Sequence, residues 1–252
     1  MFLRLVEASV RNDDTQKVEY VYGEIIIPVL ENTRGCIFAG LLKNLEQPKQ
    51  YISFTIWESE NAASDYVESG TFEKNVDQAR PLLEDSTEWK IQLSRDNMIE
   101  YSPVSNNPVV KSYPVEEEEN PITDEVSRGS SHLRIISFKV KEGARKEFSE
   151  IFNSDILPEL KAVEGCKYAF LVDNSDNDGE MLSISIWDSM DHVNQYEEEG
   201  IAEEFMNMVS HTLGDLYQWK MALDNQTSSN TFTSQDIGID KYTLITGKKF
   251  RQ

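Results

Sequence analysis

The sequence predicts an α+β fold in which two ferredoxin-like repeats place their antiparallel sheets against each other as a pseudo-dimer. The chain matches itself at a shift of 130 residues, so it holds two copies of one unit. Each copy has the order strand, helix, strand, strand, helix, strand, which is the ferredoxin-like pattern. One such unit has helices on only one face of its sheet, and the second copy is expected to cover the other face.

The repeat extends over residues 2–93 and 132–223, where about 24 of the 92 aligned pairs are identical. The segment 53–59 aligns with 183–189, and both begin and end with Ser and contain Ile-Trp. The four tryptophans of the chain align in two pairs, Trp57 with Trp187 and Trp89 with Trp219. Because Trp is rare, these matches are strong support for a duplication.

The domain boundaries follow from the repeat and from a change in composition. We expect repeat 1 at residues 1–115, an acidic linker at 116–131, and repeat 2 with a C-terminal strand at 132–252. The linker contains four consecutive glutamates and then Pro, Gly and Ser, a composition that stays solvated. The late strand at 241–245 has a weaker counterpart around 109–115.

The first half of each repeat is predicted as a strand and a helix, and the pattern is clearest in repeat 2. Residues 133–140 are mostly β-branched and apolar, which predicts a strand. After a turn at 141–143, apolar residues recur every three or four positions and predict an amphipathic helix. These residues are Phe148, Ile151, Phe152, Ile156 and Leu160. Pro158, like Pro28 in repeat 1, is expected to kink or restart its helix.

The second half of each repeat begins at a glycine, Gly35 or Gly165, that ends the helix in the left-handed conformation. In repeat 2 a strand at 166–172, a hairpin turn at 174–179 and a strand at 181–187 follow. The remaining elements are a helical stretch containing Tyr196, Phe205, Met208 and Val209 and a fourth strand at 217–223.

The chain is strongly acidic, with 45 Asp and Glu against 24 Lys and Arg and a formal charge of −21. Such a surface repels polyanions, so neither nucleic acid nor a membrane is expected as a partner. The longest apolar run, residues 25–30, is far below the ~20 residues that span a bilayer. No signal peptide is recognisable, and two cysteines are too few for a disulfide scaffold. We therefore expect a cytoplasmic location with reduced thiols.

Four features of both repeats resemble the antibiotic biosynthesis monooxygenase (ABM) family. They are Pro followed by Gly-Cys, the motif Ser-x-x-Ile-Trp-Glu/Asp-Ser, a Tyr nine residues after that Trp, and a following Gly. The residues are Pro28, Gly35, Cys36, Ser53–Ser59, Tyr66 and Gly70 in repeat 1, and Pro158, Gly165, Cys166, Ser183–Ser189, Tyr196 and Gly200 in repeat 2. The resemblance implies a dimeric α+β barrel, formed here by tandem domains. It also implies oxygenation, without metal or flavin, of an electron-rich aromatic whose anion donates an electron to dioxygen.

Strand alternation indicates where a substrate pocket would lie. On each third strand, two small hydroxyl residues share a face with a Trp: Ser53, Thr55 and Trp57 in repeat 1, and Ser183, Ser185 and Trp187 in repeat 2. Small residues beside a large ring leave space over the sheet, and we predict the substrate pocket there. The alternative is that each Trp plugs the barrel end or the interface between the repeats.

The candidate catalytic residues are two tyrosines and two histidines. Tyr66 and Tyr196 follow the Trp on a helix, where a phenol can hydrogen-bond to a substrate oxygen, and the alternative is simple packing. His192 and His211 are candidate general bases of repeat 2, because imidazole titrates near neutral pH. Their alternative is an ordinary surface position.

Two further aligned pairs were considered as functional groups. Arg4 and Arg134 lie on the first strands and are expected either to bind an anion or to form a salt bridge. Cys36 and Cys166 have no adjacent base that both repeats share, and we expect small buried hydrophobic residues.

No metal or haem site is predicted. No group of His, Cys, Asp and Glu has the spacing of a metal site. The haem-degrading members of the family carry a Trp and, ten residues later, a His. Here those positions hold Tyr66 and Val76 in repeat 1 and Tyr196 and Met206 in repeat 2.

The sequence therefore predicts a cofactor-independent monooxygenase that acts on a small aromatic or quinol substrate. The alternative is a non-catalytic small-molecule-binding or structural barrel protein. The expected ligand is a small aromatic molecule, and the expected assembly is an internal pseudo-dimer that can pair further as a homodimer.

Overall fold

The structure is a computed structural model that describes residues 1–93, 99–105, 108–115, 131–173, 180–214 and 237–250. Three predicted features lie outside the described residues: the linker over 116–130, the turn at 174–179 and the fourth strand of repeat 2 at 217–223.

Repeat 1 follows the predicted order of elements up to the fourth strand, which lies in a separate hairpin instead of the main sheet. Its elements are β1 (Phe2–Ser9), α1 (Thr15–Val21), α2 (Ile27–Glu31), β2 (Cys36–Asn44), β3 (Gln50–Trp57), α3 (Glu60–Glu68), α4 (Thr71–Ala79), β4 (Asp85–Leu93), β5 (Ile99–Ser105) and β6 (Val109–Pro114). The strand that carries Trp89, β4, pairs with β5 in a separate two-stranded sheet. The fourth strand of the main sheet is β6, which confirms the late strand expected around 109–115.

Repeat 2 reproduces the same order at the 130-residue shift. Its described elements are β7 (His132–Lys139), α5 (Arg145–Ile151), α6 (Leu157–Ala162), β8 (Cys166–Asp173), β9 (Glu180–Trp187), α7 (Met190–Glu198), α8 (Ile201–Val209) and β10 (Ile237–Lys249). The C-terminal strand expected at 241–245 is the centre of β10, which is longer at both ends.

The two repeats share one eight-stranded antiparallel sheet, in the order β6-β1-β3-β2-β10-β7-β9-β8. β10 connects them, because it pairs with β7 of its own repeat and with β2 of repeat 1. The sheet curls until its two end strands meet at one bridge between Val115 and Val172. The predicted pseudo-dimer of facing sheets is confirmed, and the two facing sheets are the two halves of one continuous sheet.

The interior of the curled sheet is a core that both repeats build. Strand alternation sends Ile52, Phe54 and Ile56 of β3 into this interior, where they join Leu182 and Ile184 of β9. The opposite face of each half packs against its own helices and forms a second and a third core. Each half therefore has an inner face, shared between repeats, and an outer face on which a site can form under the helices.

A π-helical turn replaces a regular α-turn just before each helix proline. The turns are Tyr22–Ile26 before Pro28 and Phe152–Ile156 before Pro158. Proline lacks the N–H that would donate to the preceding turn, and its ring crowds that turn, so the helix widens there. The interruption expected at both prolines thus places Tyr22, the first residue of its π-turn, against the sheet.

The glycines predicted after these helices have the conformation that only glycine adopts easily. Gly35 has φ +79° and Gly165 has φ +81°. A Cβ at Gly35 would collide with Ala62, and one at Gly165 would collide with His192.

In the parts of the chain that the structure describes, no helix combines the length and apolar character needed to cross a membrane.

Candidate functional site

The outer face of repeat 1 contains a cavity between the sheet and helices α1 to α4. The volume open to the centre of a water-sized sphere is about 80 Å³. About 10–15 Å³ measured in this way holds one water, so the cavity has room for several waters or for a one- or two-ring aromatic. Its wall is mainly apolar. The polar lining residues are Arg4, Tyr22, Tyr51, Ser53, Thr55, Tyr66 and Asn75. We call this space the repeat 1 cavity.

The strand side of the cavity carries the two hydroxyl residues of β3. The Ser53 Oγ lies 2.8 Å from the Tyr22 hydroxyl, which the π-turn brings over the sheet. The Thr55 hydroxyl donates to the Arg4 carbonyl at 3.2 Å and accepts from the Trp57 indole N–H at 3.0 Å. Ser53 and Thr55 therefore line the cavity, and both hydroxyls already form hydrogen bonds within the protein.

Trp57 is fully buried and is absent from the residues that line the cavity. Its ring packs at 5.0 Å, centroid to centroid, against the Tyr66 ring. Through that contact and its bond to Thr55, Trp57 supports two lining residues from behind. Trp187 repeats the arrangement with Ser185, at 2.9 Å, and with Tyr196, at 5.2 Å.

Tyr66 places a phenol in the wall of the cavity from helix α3. Its oxygen accepts a hydrogen bond of 2.8 Å from the Asn75 side-chain amide. Burial raises the pKa of Tyr66 to about 12, against smaller opposing effects from Asn75 and Arg4. The phenol is therefore protonated near neutral pH, and because its oxygen acts as acceptor toward Asn75, its own proton is available to donate to a ligand.

Arg4 brings a positive charge to the same wall. It is 6% exposed, and its guanidinium carbon lies 4.3 Å from the centre of the Phe72 ring. Its Nε is buried without a hydrogen-bond partner, and no described residue forms a side-chain hydrogen bond or ion pair with it. Burial lowers the pKa of the guanidinium, but arginine titrates so far above neutrality that the group stays charged.

The aligned arginine of repeat 2 is neutralised. The Arg134 Nε donates to Glu197 Oε1 at 2.9 Å, and Lys241 binds the other oxygen of the same carboxylate. Glu197 aligns with Val67 in repeat 1, which cannot form this pair. The two roles considered for these arginines thus separate: the salt bridge forms in repeat 2 and is missing in repeat 1.

Phenylalanine side chains occupy the corresponding positions in repeat 2. Ala8, Val18 and Tyr22 of the repeat 1 cavity align with phenylalanines, and Asn75 does as well. The replacing residues are Phe138, Phe148, Phe152 and Phe205, all at most 5% exposed. The Phe138 and Phe148 rings lie 5.1 Å apart, and Phe148 stacks on Phe152 at 5.9 Å.

Of the predicted site residues of repeat 2, His192 and Tyr196 line one open surface cleft on helices α7 and α8, and the others lie apart from it. Ser183 and Ser185 are 3% exposed, whereas His192 pairs with Asp188 at 2.6 Å on the surface. His211 is also at the surface and lies 3.2 Å from Glu147. The Arg134 guanidinium carbon lies over the Tyr196 ring, 5.4 Å from the ring centre. Burial raises the pKa of Tyr196 to about 12. Among the described residues, no cluster of His, Cys, Asp and Glu is arranged to hold a metal ion.

Both cysteines are buried, as the sequence predicts. Burial raises the pKa of the Cys36 and Cys166 thiols to about 12. A thiol that is protonated near neutral pH is a poor nucleophile, which leaves both residues with a packing role.

Three polar lining residues, Tyr22, Tyr51 and Asn75, were not identified from the sequence. In repeat 2, Tyr22 and Asn75 align with phenylalanine and Tyr51 aligns with methionine. A comparison of the repeats for positions where only one copy is polar would have found them, whereas a search for shared residues passes over them.

The sequence model of the antibiotic biosynthesis monooxygenase family matches the chain twice, at residues 1–78 and 131–208. Both matches contain the strand, helix, strand, strand, helix order described above, and the first contains most of the repeat 1 cavity. No protein with a curated description matches the sequence significantly.

Solved structures with the same fold cover nearly the whole chain at low sequence identity. A proposed monooxygenase of Fusobacterium nucleatum matches with a TM-score of 0.66 at 10% identity, over 98% of this chain and 94% of its own. A proposed monooxygenase of Lactobacillus acidophilus matches with a TM-score of 0.60 at 9% identity, over 98% and 95%. An anthrone oxidase-like protein matches with a TM-score of 0.59 at 10% identity, over 100% and 94%. At these identities the likeness shows a shared two-repeat fold.

Proposed function

Since the chain belongs to the antibiotic biosynthesis monooxygenase family, we propose that its repeat 1 cavity binds and oxygenates a small aromatic or quinol substrate. Repeat 2 serves as the structural partner that completes the barrel. The observation that carries this proposal is the asymmetry between the copies: a cavity with a few polar groups in an apolar wall lies in repeat 1, and phenylalanines fill its counterpart.

The chemistry requires little from the protein beyond positioning. The ionised substrate transfers an electron to dioxygen, the resulting radicals combine at a ring carbon, and the intermediate loses water. The substrate loses two hydrogens, one from the ring carbon and one from the phenolic oxygen. The ring carbon gains one oxygen atom, and the second oxygen atom leaves in the water with those hydrogens. The substrate thereby supplies all four electrons that reduce dioxygen, so the balance needs no other reductant.

Five side chains in or behind the cavity have a role in this proposal. Tyr66 donates a hydrogen bond to a substrate oxygen and orients the ring, with Asn75 fixing the phenol. Ser53 and Thr55 form the floor, and Trp57 holds Thr55 and Tyr66 from behind. Because burial keeps Tyr66 protonated, it acts as a donor and not as the base.

Oxygen uptake with a panel of hydroxynaphthalenes and quinols tests the activity, and the aligned tyrosines give a matched pair of variants. We expect Tyr66→Phe to lower kcat/KM about ten- to a hundredfold, since it removes one oriented hydrogen bond from the transition state. Tyr196→Phe should leave the rate within about twofold. Loss of turnover in Tyr196→Phe alone would place the reaction in repeat 2 and contradict the proposal.

A second variant tests the cavity itself. Ala8→Phe introduces the residue that repeat 2 carries at this position, Phe138, and should abolish both aromatic binding and oxygen uptake while the fold is kept. Binding measured by calorimetry distinguishes the alternative function. If wild-type protein binds aromatics at this cavity but consumes no oxygen with any of them, the protein is a binding module.

A further inference from the structure

We propose that the repeat 1 cavity selects its aromatic ligand as an anion, with an ionised oxygen of the ligand held against the Arg4 guanidinium. The ligand class is a one- or two-ring aromatic that carries a phenolate, enolate or carboxylate. This inference rests on the proposed function, because it names the charge of the molecule that binds in that cavity and the residue that selects it.

The first argument is the cost of a buried charge without a counterion. Arg4 is 6% exposed, its Nε has no partner, and no described residue pairs with its side chain. Transfer of an ion from water to such a position is strongly unfavourable unless another charge or hydrogen-bond acceptor compensates it. The Phe72 ring face, 4.3 Å from the guanidinium carbon, offsets part of that cost. A ligand oxyanion would supply the rest.

The second argument is the comparison within the chain. Arg134 has the same position in repeat 2 and forms a salt bridge with Glu197. At the aligned position repeat 1 has Val67. The copy with the open cavity thus lacks the carboxylate that neutralises the aligned arginine. The missing carboxylate leaves the Arg4 charge free for a ligand.

The third argument is the charge of the cavity wall. Among the described residues that line it, Arg4 alone is charged, and the other polar members are neutral hydroxyl and amide groups. The Tyr66 O–H can donate to the same oxygen, because Asn75 occupies the acceptor side of the phenol. A cation and a neutral donor next to an apolar wall fit an aromatic oxyanion better than a neutral ring or a cation.

This assignment also accounts for how the substrate is ionised. The described lining side chains include no group that acts as a base near neutral pH, since burial raises the pKa of the lining tyrosines. A guanidinium against the substrate oxygen stabilises the anion in the cavity. Arg4 is thus a specificity-determining residue that favours the reactive form of the substrate.

The test compares two probes of nearly equal shape, 1-naphthoate and 1-naphthamide, by titration calorimetry with the full chain near pH 7. We expect wild-type protein to bind naphthoate about ten- to a hundredfold more tightly than naphthamide. Arg4→Gln should remove this preference and keep the affinity for naphthamide. Arg134→Gln, the matched control in repeat 2, should keep the preference.

A second variant keeps Arg4 and supplies the missing counterion. Val67→Glu introduces the carboxylate that repeat 2 has at Glu197, and it should reduce the preference for naphthoate to about twofold or less. Circular dichroism verifies the fold of each variant.

The outcomes separate this inference from the proposed function. Equal affinity for the two probes, or a preference that survives Arg4→Gln, would overturn the inference and leave oxygenation of a neutral aromatic standing. Absence of binding of either probe to wild-type protein would also overturn it, while oxygen uptake with the quinol panel decides the proposed function independently.

Discussion

Arg4 and Arg134 occupy the same position in two copies of one unit, but among the described residues only Arg134 has a carboxylate partner. In repeat 2 the charge serves stability, through Glu197 and Lys241. In repeat 1 the unpartnered charge costs stability, and such a cost is typical of a functional site. Substitutions at the two positions should therefore have opposite effects on the free energy of unfolding.

Arg4→Met should raise that free energy by about 1–2 kcal/mol, because it removes an uncompensated buried charge and keeps most of the side-chain volume. Arg134→Met should lower it by about 1–3 kcal/mol, since Glu197 loses a partner. Urea unfolding of both variants measures the two values. Destabilisation of similar size in both would show that Arg4 has a structural role.

The salt bridge of the Glu197 carboxylate predicts that the stability of the fold depends on pH. Burial alone would raise its pKa, but Lys241 and Arg134 outweigh burial and lower the pKa below the ordinary 4.5. A carboxylate with a lowered folded-state pKa stabilises the fold above its unfolded pKa, and the contribution is lost as pH falls through the folded value. Wild-type protein should therefore be more stable than Glu197→Gln at neutral pH, and the difference should shrink as the pH falls below the ordinary carboxyl value of 4.5. Thermal unfolding between about pH 7 and 3 measures it, and a constant difference over that range would contradict the assignment.

At the scale of elements, the family motif mixes structural and functional residues. Ser59 and Ser189, the last residues of the Ser-x-x-Ile-Trp-Glu/Asp-Ser motif, are N-caps: their hydroxyls accept from the Ala62 and His192 backbone N–H groups at 3.2 Å. Helices α3 and α7 each begin directly after this cap, which sets the position of the tyrosine that follows.

Removal of a cap should affect the two repeats equally in stability and differently in function. Ser59→Ala and Ser189→Ala should each lower the free energy of unfolding by about 1 kcal/mol. Only Ser59→Ala should weaken aromatic binding, because α3 carries Tyr66 into the cavity. Chemical unfolding and calorimetric binding test both points, and weaker binding in Ser189→Ala would point to a working site in repeat 2.

The order of elements could be predicted from the sequence because it depends on local patterns. Strand alternation around Trp57, the helical spacing near Phe148 and the left-handed glycines are each visible within about ten residues. The cavity could not be predicted in the same way. It depends on the volumes of Ala8 and Val18, which are distant in sequence from the hydroxyl residues of β3. It also depends on the π-turn before Pro28: the proline indicates an interruption of the helix, but not which side chain the turn places over the sheet.

At the scale of the molecule, β10 makes the two repeats one folding unit. Its first half, 237–243, pairs with β7 and its second half, 242–249, pairs with β2. The inner core also combines side chains of both halves. The sequence predicted two facing sheets, but the pairing of β10 with β2 connects residues about two hundred positions apart, for which single-sequence patterns carry no signal.

One shared core and one shared sheet predict that damage in repeat 1 destabilises repeat 2 equally. Phe54 is 1% exposed in the inner core and contacts the Phe38 ring edge at 6.1 Å. Phe54→Ala should lower the free energy of unfolding by about 3–5 kcal/mol. Amide hydrogen exchange should then speed up by the same factor in β3 and in β9, because both open only in the global transition. Exposed Val67→Ala serves as control, with exchange in both strands unchanged. Faster exchange confined to repeat 1 would mean that the halves unfold independently and that repeat 2 holds its fold without its partner.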